Sequence, residues 1–114
     1  MNYSITTSSY FDVAVKRLAK KYPSLKQDLI AFRNELLENP QQGTELSPGI
    51  RKIRMAIASK GKGKSKGARV ITYNFLTAEM DSKIVLLIIY DKADASSVKV
   101  NVLKDIIKEE GFPL

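Results

Sequence analysis

Residues 3–7, YSITT, predict a short strand. Directly after it, Phe11, Val15, Leu18 and Tyr22 recur at three- and four-residue steps, the spacing of one helix face. Ser9 stands three residues ahead of Asp12, a capping-box interval, so the helix is expected to be capped at Ser9. Pro23, which has no amide hydrogen to donate, stops it. Ser24 is then placed to cap a second helix, with Gln27 at the box position and Leu25, Leu29, Phe32 and Leu36 as its apolar stripe. So short a link predicts an antiparallel helical hairpin. The run ENPQQGTELSPG, with Pro40, Gly43, Pro48 and Gly49, reads as a loop.

From Ile50 the apolar period changes to two. Ile53, Met55 and Ile57 fall on one face of a strand, with Lys52 and Arg54 on the other. In the next strand Arg69, Ile71, Tyr73 and Phe75 share a face, opposite Val70, Thr72 and Leu76. TAEMDS is a turn, and Ile84–Tyr90 is apolar at every position, as in a central strand covered on both faces. A last helix is expected after DKADASS, capped by Ser96 or Ser97 and ended by Gly111. Val98, Val102 and Ile106 form its expected stripe, widened by Leu103 and Ile107. The order β-α-α-β-β-β-α predicts an α+β domain spanning 1–114, with a largely antiparallel sheet packed with an N-terminal helical hairpin and a C-terminal helix.

Composition narrows the chemistry. Cysteine and histidine are both absent, which removes disulfides, thiolate metal sites, the commonest metal ligand and the commonest general base. No metal and no cofactor is therefore expected. There is no apolar stretch of membrane length and no signal-peptide layout at the start, so cytoplasmic location is the default expectation, without a membrane partner. The net charge is +7, and it is concentrated. Between Glu45 and Glu79 there is no acid, while Arg51, Lys52, Arg54, Lys60, Lys62, Lys64, Lys66 and Arg69 supply eight cations. The remaining eleven cations are offset by twelve acids. A surface that only solubilises would mix the signs; cations packed this densely repel unless a polyanion lies among them. Nucleic-acid contact is the reading that follows.

The densest part, SKGKGKSKGARVITY, has a P-loop look in GKGKS. That motif needs a glycine where Ala58 stands, and a helix afterwards to aim its amides at phosphates. A β-branched and aromatic run follows instead, and the glycine spacing also misses the dinucleotide fingerprint. A basic hairpin tip describes the stretch better than a nucleotide cradle.

The block GIRKIRMAIASKGKGKSKGARVITYNF, then IVLLIIYDK and a C-terminal helix, resembles the RelE/ParE superfamily of toxin–antitoxin toxins, with the HigB-like branch most similar. Specific motifs are confined to residues 49–92, while the element order is similar over nearly the whole chain. The resemblance implies a ribosome-dependent endoribonuclease that cleaves messenger in the ribosomal A site. It implies as partners the ribosome, messenger RNA and a cognate antitoxin, often of helix-turn-helix type. Carried over by position, Lys60, Lys62, Lys64 and Lys66 match the family's RNA-contacting loop, with Lys52 as a further RNA-binding candidate. Arg54 and Arg69 match strand positions facing the cleaved phosphate, Tyr73 and Tyr90 match aromatic or acid–base positions, and Lys92 matches a cation past the last strand. Some HigB-like relatives use a histidine near the site, where this chain has none.

The chemistry is consistent with those residue types. RNA cleaves itself when its 2′-hydroxyl attacks the adjacent phosphate; the step needs a proton acceptor, a proton donor and cations on the phosphorane. Arginine, permanently charged and bidentate, suits the last role. Lysine and tyrosine ionise roughly three pH units above neutrality, so either must be perturbed to act as base. Crowded cations would favour this at Lys62, Lys64 or near Arg54, and Asp91 is the acid closest to these strands. Each candidate has a plainer alternative. Arg54 and Arg69 can pair with Glu35 or Glu38, Tyr73 and Tyr90 can be core side chains, and Lys92 an ordinary surface lysine. Two other functions compete: gyrase inhibition, as in the ParE branch, and RNA binding without catalysis.

Overall fold

A computed structural model describes residues 3–61, 63–95 and 97–114. The elements are β1 (Tyr3–Thr7), α1 (Ser9–Lys21), α2 (Leu25–Glu38), β2 (Thr44–Ser47), β3 (Ile50–Met55), β4 (Ala68–Leu76), β5 (Ser82–Asp91) and α3 (Val100–Glu109). The strands form one sheet in the order β1-β5-β4-β3-β2. β1 runs parallel to β5, and the other three ladders are antiparallel. The architecture is α+β, as expected, with a mixed sheet and one more strand than periodicity indicated.

That extra strand is β2, inside the segment expected to be a loop. Its four residues, TELS, pair with Ile50–Lys52 across a register irregularity. So short an edge strand carries no readable alternation, and Pro48 and Gly49 beside it read as punctuation. Pairing with β3, not local preference, makes it a strand.

Alternation along β3 and β4 sends side chains to two separate cores. Ile53, Met55 and Val70 join Phe11, Leu18, Leu25, Phe32 and Leu36 beneath α1 and α2. Ile50, Ile71 and Tyr73 join Leu103, Ile106 and Ile107 beneath α3. Full burial of a side chain such as Leu25 or Leu103 stabilises the fold by about 1.5–3 kcal/mol. β5, apolar throughout, contributes to both layers, and a register shift opposite Ile71 and Thr72 redistributes its residues between them.

The helix ends depart from expectation by small steps. Ser8, not Ser9, caps α1: its Oγ accepts from the Phe11 amide at 3.0 Å. Ser9 is the first helical residue, and its Oγ donates to Glu110 at 2.8 Å. Ser24 precedes α2 without capping it through its side chain; its Oγ donates to Asp28 at 2.7 Å and meets Ser59 Oγ at 2.7 Å. α3 starts later than expected, with Lys99 at the N-cap, so Ser97 caps nothing; Ser96 lies outside the described residues. Its buried stripe is Leu103, Ile106 and Ile107, while Val98 precedes the helix and Val102 is 45% exposed. Gly111 ends α3 at φ +77°, and the Phe112 amide reaches back to Ile107 O at 3.1 Å.

Candidate functional site

Three cross-strand rows run along the α3 face of the sheet. Ile50, Tyr73 and Val85 form one, Lys52, Ile71 and Ile88 the next, and Arg54, Arg69 and Tyr90 the third. The face thus passes from apolar beneath α3 to cationic at the end where β3 and β4 run into the basic loop. Arg54 and Arg69 are direct partners in the ladder, an arrangement of like charges that costs stability.

An open cleft of about 560 Å³ lies at this end, lined by Gln42, Gly43, Thr44, Leu46, Lys52, Ile53, Arg54, Lys64, Arg69 and Lys92. Five of these carry positive charge and none carries a carboxylate. The side chains of Lys52, Arg54 and Lys92 have no hydrogen bond or ion pair among the described residues. Arg69 is 6% exposed. Its guanidinium donates to Lys64 O at 3.3 Å, Ala68 O at 3.2 Å and Ser65 O at 3.1 Å, and meets no acid among the described residues. Glu35 pairs with Lys64 instead, at 3.2 Å, and both partners are about half exposed. Neither arginine therefore follows the ion-pair alternative with Glu35 or Glu38.

The loop between β3 and β4 is folded, not an open hairpin tip. Two 3-10 turns, Ala58–Lys60 and Lys64–Lys66, bring it back to Gly67. A Cβ on Gly67 would sit 2.1 Å from Met55 O, so no other residue fits this crossing without moving backbone. The Lys92 amide donates to Gly67 O at 3.0 Å, which places Lys92 beside the loop's end.

Lys52, Arg54, Lys64, Arg69 and Lys92 thus meet in the cleft. Lys66 is exposed and shares a neighbouring depression with Lys60 and Lys92. Lys62 lies outside the described residues. Lys60 is no free contact: its Nζ is 2.6 Å from buried Asp91, with only 13% of its side chain exposed. Tyr73 sits in the α3 core, 7% exposed, and its hydroxyl donates to Pro113 O at 2.6 Å, away from the cleft lining. Tyr90 neighbours Arg69, but its buried hydroxyl has no partner among the described residues and does not line the cleft. Burial pushes its pKa up and the charge of Arg69 pulls it partly back, so the phenol keeps its proton at neutral pH. Asp91, with burial opposing and hydrogen bonds from Lys60, Tyr22 and the Ala93 amide prevailing, is held at about 2 and stays ionised.

The rim formed by Gln42, Gly43 and Thr44 had no signal in the sequence. Arg51 binds it to β3, its Nε donating to Gln42 O at 3.1 Å and its Nη2 to Gly43 O at 3.3 Å. Among the described residues no group of three acidic, histidine or cysteine side chains is placed to hold a metal, and no helix is long and apolar enough to cross a membrane. No protein-family model matches the chain.

Proposed function

We propose that this chain is the toxin of a type II toxin–antitoxin system, a RelE/ParE-like, HigB-like endoribonuclease that cuts messenger in the ribosomal A site. The observation that carries this reading is the cleft: five cations, no carboxylate, and two arginines directly opposite each other. Without an anion, the Arg54–Arg69 pair is a cost; with a phosphate between them it becomes a bidentate clamp. In the reaction the 2′-oxygen bonds to phosphorus, the bond to the 5′-oxygen breaks, and the 2′-proton is ultimately replaced by one on that 5′-oxygen. The added charge on the phosphorane falls to Arg54, Arg69 and Lys92. Alignment of the strand comes from the ribosome, since in-line placement can supply about 7–11 kcal/mol of the barrier and a small open cleft cannot impose it alone. Lys64 and Lys66 dock on ribosomal RNA, and a cognate antitoxin of helix-turn-helix type restrains the protein in the cytoplasm.

The test is primer-extension mapping of messenger on programmed ribosomes, with free RNA of the same sequence alongside. Cuts within codons that depend on ribosomes and on Arg54 are expected. Intact messenger accompanied by DNA damage in cells would overturn the nuclease reading in favour of gyrase inhibition. Ribosome binding with no cut would leave an RNA-binding module.

A further inference from the structure

Asp91 closes β5 with a fully enclosed side chain, yet it does not line the cleft. Three close donors converge on it: Lys60 Nζ at 2.6 Å, the Tyr22 hydroxyl, and the Ala93 amide at 2.9 Å. Exposed Lys21 lies farther off, at 3.9 Å. The same Lys60 ammonium reaches Gly67 O at 3.5 Å and lies 5.5 Å from the centroid of the Tyr22 ring. One cation therefore joins the start of the basic loop to its end, over a buried anion.

The loop is fastened on both sides of this point. The Ala58 amide donates to the Asp28 carboxylate at 3.2 Å, and the Ser59 amide to Ser24 Oγ at 2.8 Å, tying the first turn to the α1–α2 corner. At the other end Arg69 holds Lys64 O and Ser65 O. Exposed Lys64 and Lys66 stand at this second fastening. Repulsion among Lys64, Lys66 and nearby Arg54 favours spreading the loop; Glu35 offsets it at the surface through Lys64, and Asp91 opposes it from beneath through Lys60.

We propose that Asp91, Lys60 and Tyr22 form a latch that sets the shape of the basic loop, making Asp91 a positioning residue for the cationic cleft. The loop's order is independent of what the cleft binds; only the consequence for RNA affinity rests on the nuclease reading above. The latch has a sign that bulk charge does not share. Asp91→Asn makes the protein one unit more positive, so long-range electrostatics alone predicts tighter binding of a polyanion. Loss of the latch predicts weaker binding, because the cations must be ordered at the moment of contact.

The experiment follows trypsin cleavage after Lys64 and Lys66 in the native full-length chain, read by mass spectrometry. Beside it, fluorescence anisotropy measures affinity for a short single-stranded RNA with methylated 2′-oxygens, which cannot be cut. Asp91→Asn and Lys60→Met are expected to speed loop cleavage roughly tenfold or more, as the open population grows. Both should weaken RNA binding, and Tyr22→Phe should move both readings less, in the same direction and without a change of charge. Unchanged cleavage rates, or tighter RNA binding by Asp91→Asn, would overturn the latch. If Asp91→Asn does not fold, Lys60→Met and Tyr22→Phe decide by the same readings. A loosened loop with unaltered RNA affinity refutes the positioning role and leaves the cleft's reading intact. If the unaltered protein fails to bind the RNA even at low salt, the nuclease reading falls, and the cleavage rates alone judge the latch.

Discussion

Two ends of one sheet face, built from the same strands, are finished in opposite ways. Beneath α3, Ile50, Ile71, Tyr73 and Val85 meet Leu103 and Ile107, and the one polar group, the Tyr73 hydroxyl, is satisfied by Pro113 O at 2.6 Å. Beyond α3 the next positions in register are Lys52, Arg54, Arg69 and Tyr90, the tyrosine hydroxyl is buried without a partner among the described residues, and a cleft stands open. The covered end follows the ordinary rules of a core, apolar and satisfied. The open end breaks one of them in the cleft itself, with like charges paired across strands, and Tyr90 behind it keeps a buried hydroxyl without a partner among the described residues. Like charges paired across strands, at the place with room for a ligand, separate a binding site from a merely exposed surface.

The largest effect expected from breaking this contrast is on activity. Arg54→Ala should lower the rate of messenger cleavage on ribosomes by about 10²–10³, as loss of a transition-state donor does. Its melting temperature should not fall, because Arg54 is exposed and its side chain makes no ion pair or hydrogen bond among the described residues. Arg69→Ala should lose the same activity and also melt earlier, since buried Arg69 satisfies three backbone carbonyls. An Arg54→Ala protein with full activity would remove the clamp.

Acid should act on the loop's anchor. The Asp91 carboxyl lies at about 2 against an ordinary 3.8, so its stabilising contribution is complete above about pH 4 and is lost as pH falls through 2. The shift corresponds to roughly 2 kcal/mol, readable as the part of the acid destabilisation that Asp91→Asn abolishes in urea melts at stepped pH. Identical acid profiles for the two proteins would show that the carboxylate is not held as described.

The two tyrosines sharpen the comparison directly. Tyr73→Phe should cost about 1 kcal/mol, the loss of a satisfied hydrogen bond that leaves the Pro113 carbonyl unpaired. Tyr90→Phe removes a hydroxyl that has no partner among the described residues, so thermal unfolding should change by less than about 0.5 kcal/mol, toward greater stability. Equal costs would mean the two ends are built alike. The smallest effect is expected at the loop surface. Lys66→Ala should reduce the slope of log affinity for single-stranded RNA against log salt by roughly 0.7, with no change in melting, if that lysine neutralises one phosphate.

Much of this molecule was legible in its order of residues. Helical spacing of Phe11 and Leu18, and of Leu25, Phe32 and Leu36, located two helices and their buried stripes, because a 3.6-residue period has one geometric meaning. Alternation around Arg54 and Arg69 likewise put both on the face opposite Met55 and Val70, and charge counting marked the segment for a polyanion. What alternation cannot supply is register and partner. That Arg54 stands opposite Arg69, that β1 joins β5 in parallel, and that TELS becomes an edge strand are all facts of pairing between residues distant in sequence. The lysines make the point most sharply. Lys60 and Lys64 sit in the same repeated glycine–lysine run, indistinguishable by composition, yet one has its side chain mostly buried over a carboxylate contributed from β5 and the other lines the cleft. A cation's role depends on which groups the folded chain brings within a few ångströms of it, and for Lys60 that group is thirty-one residues away.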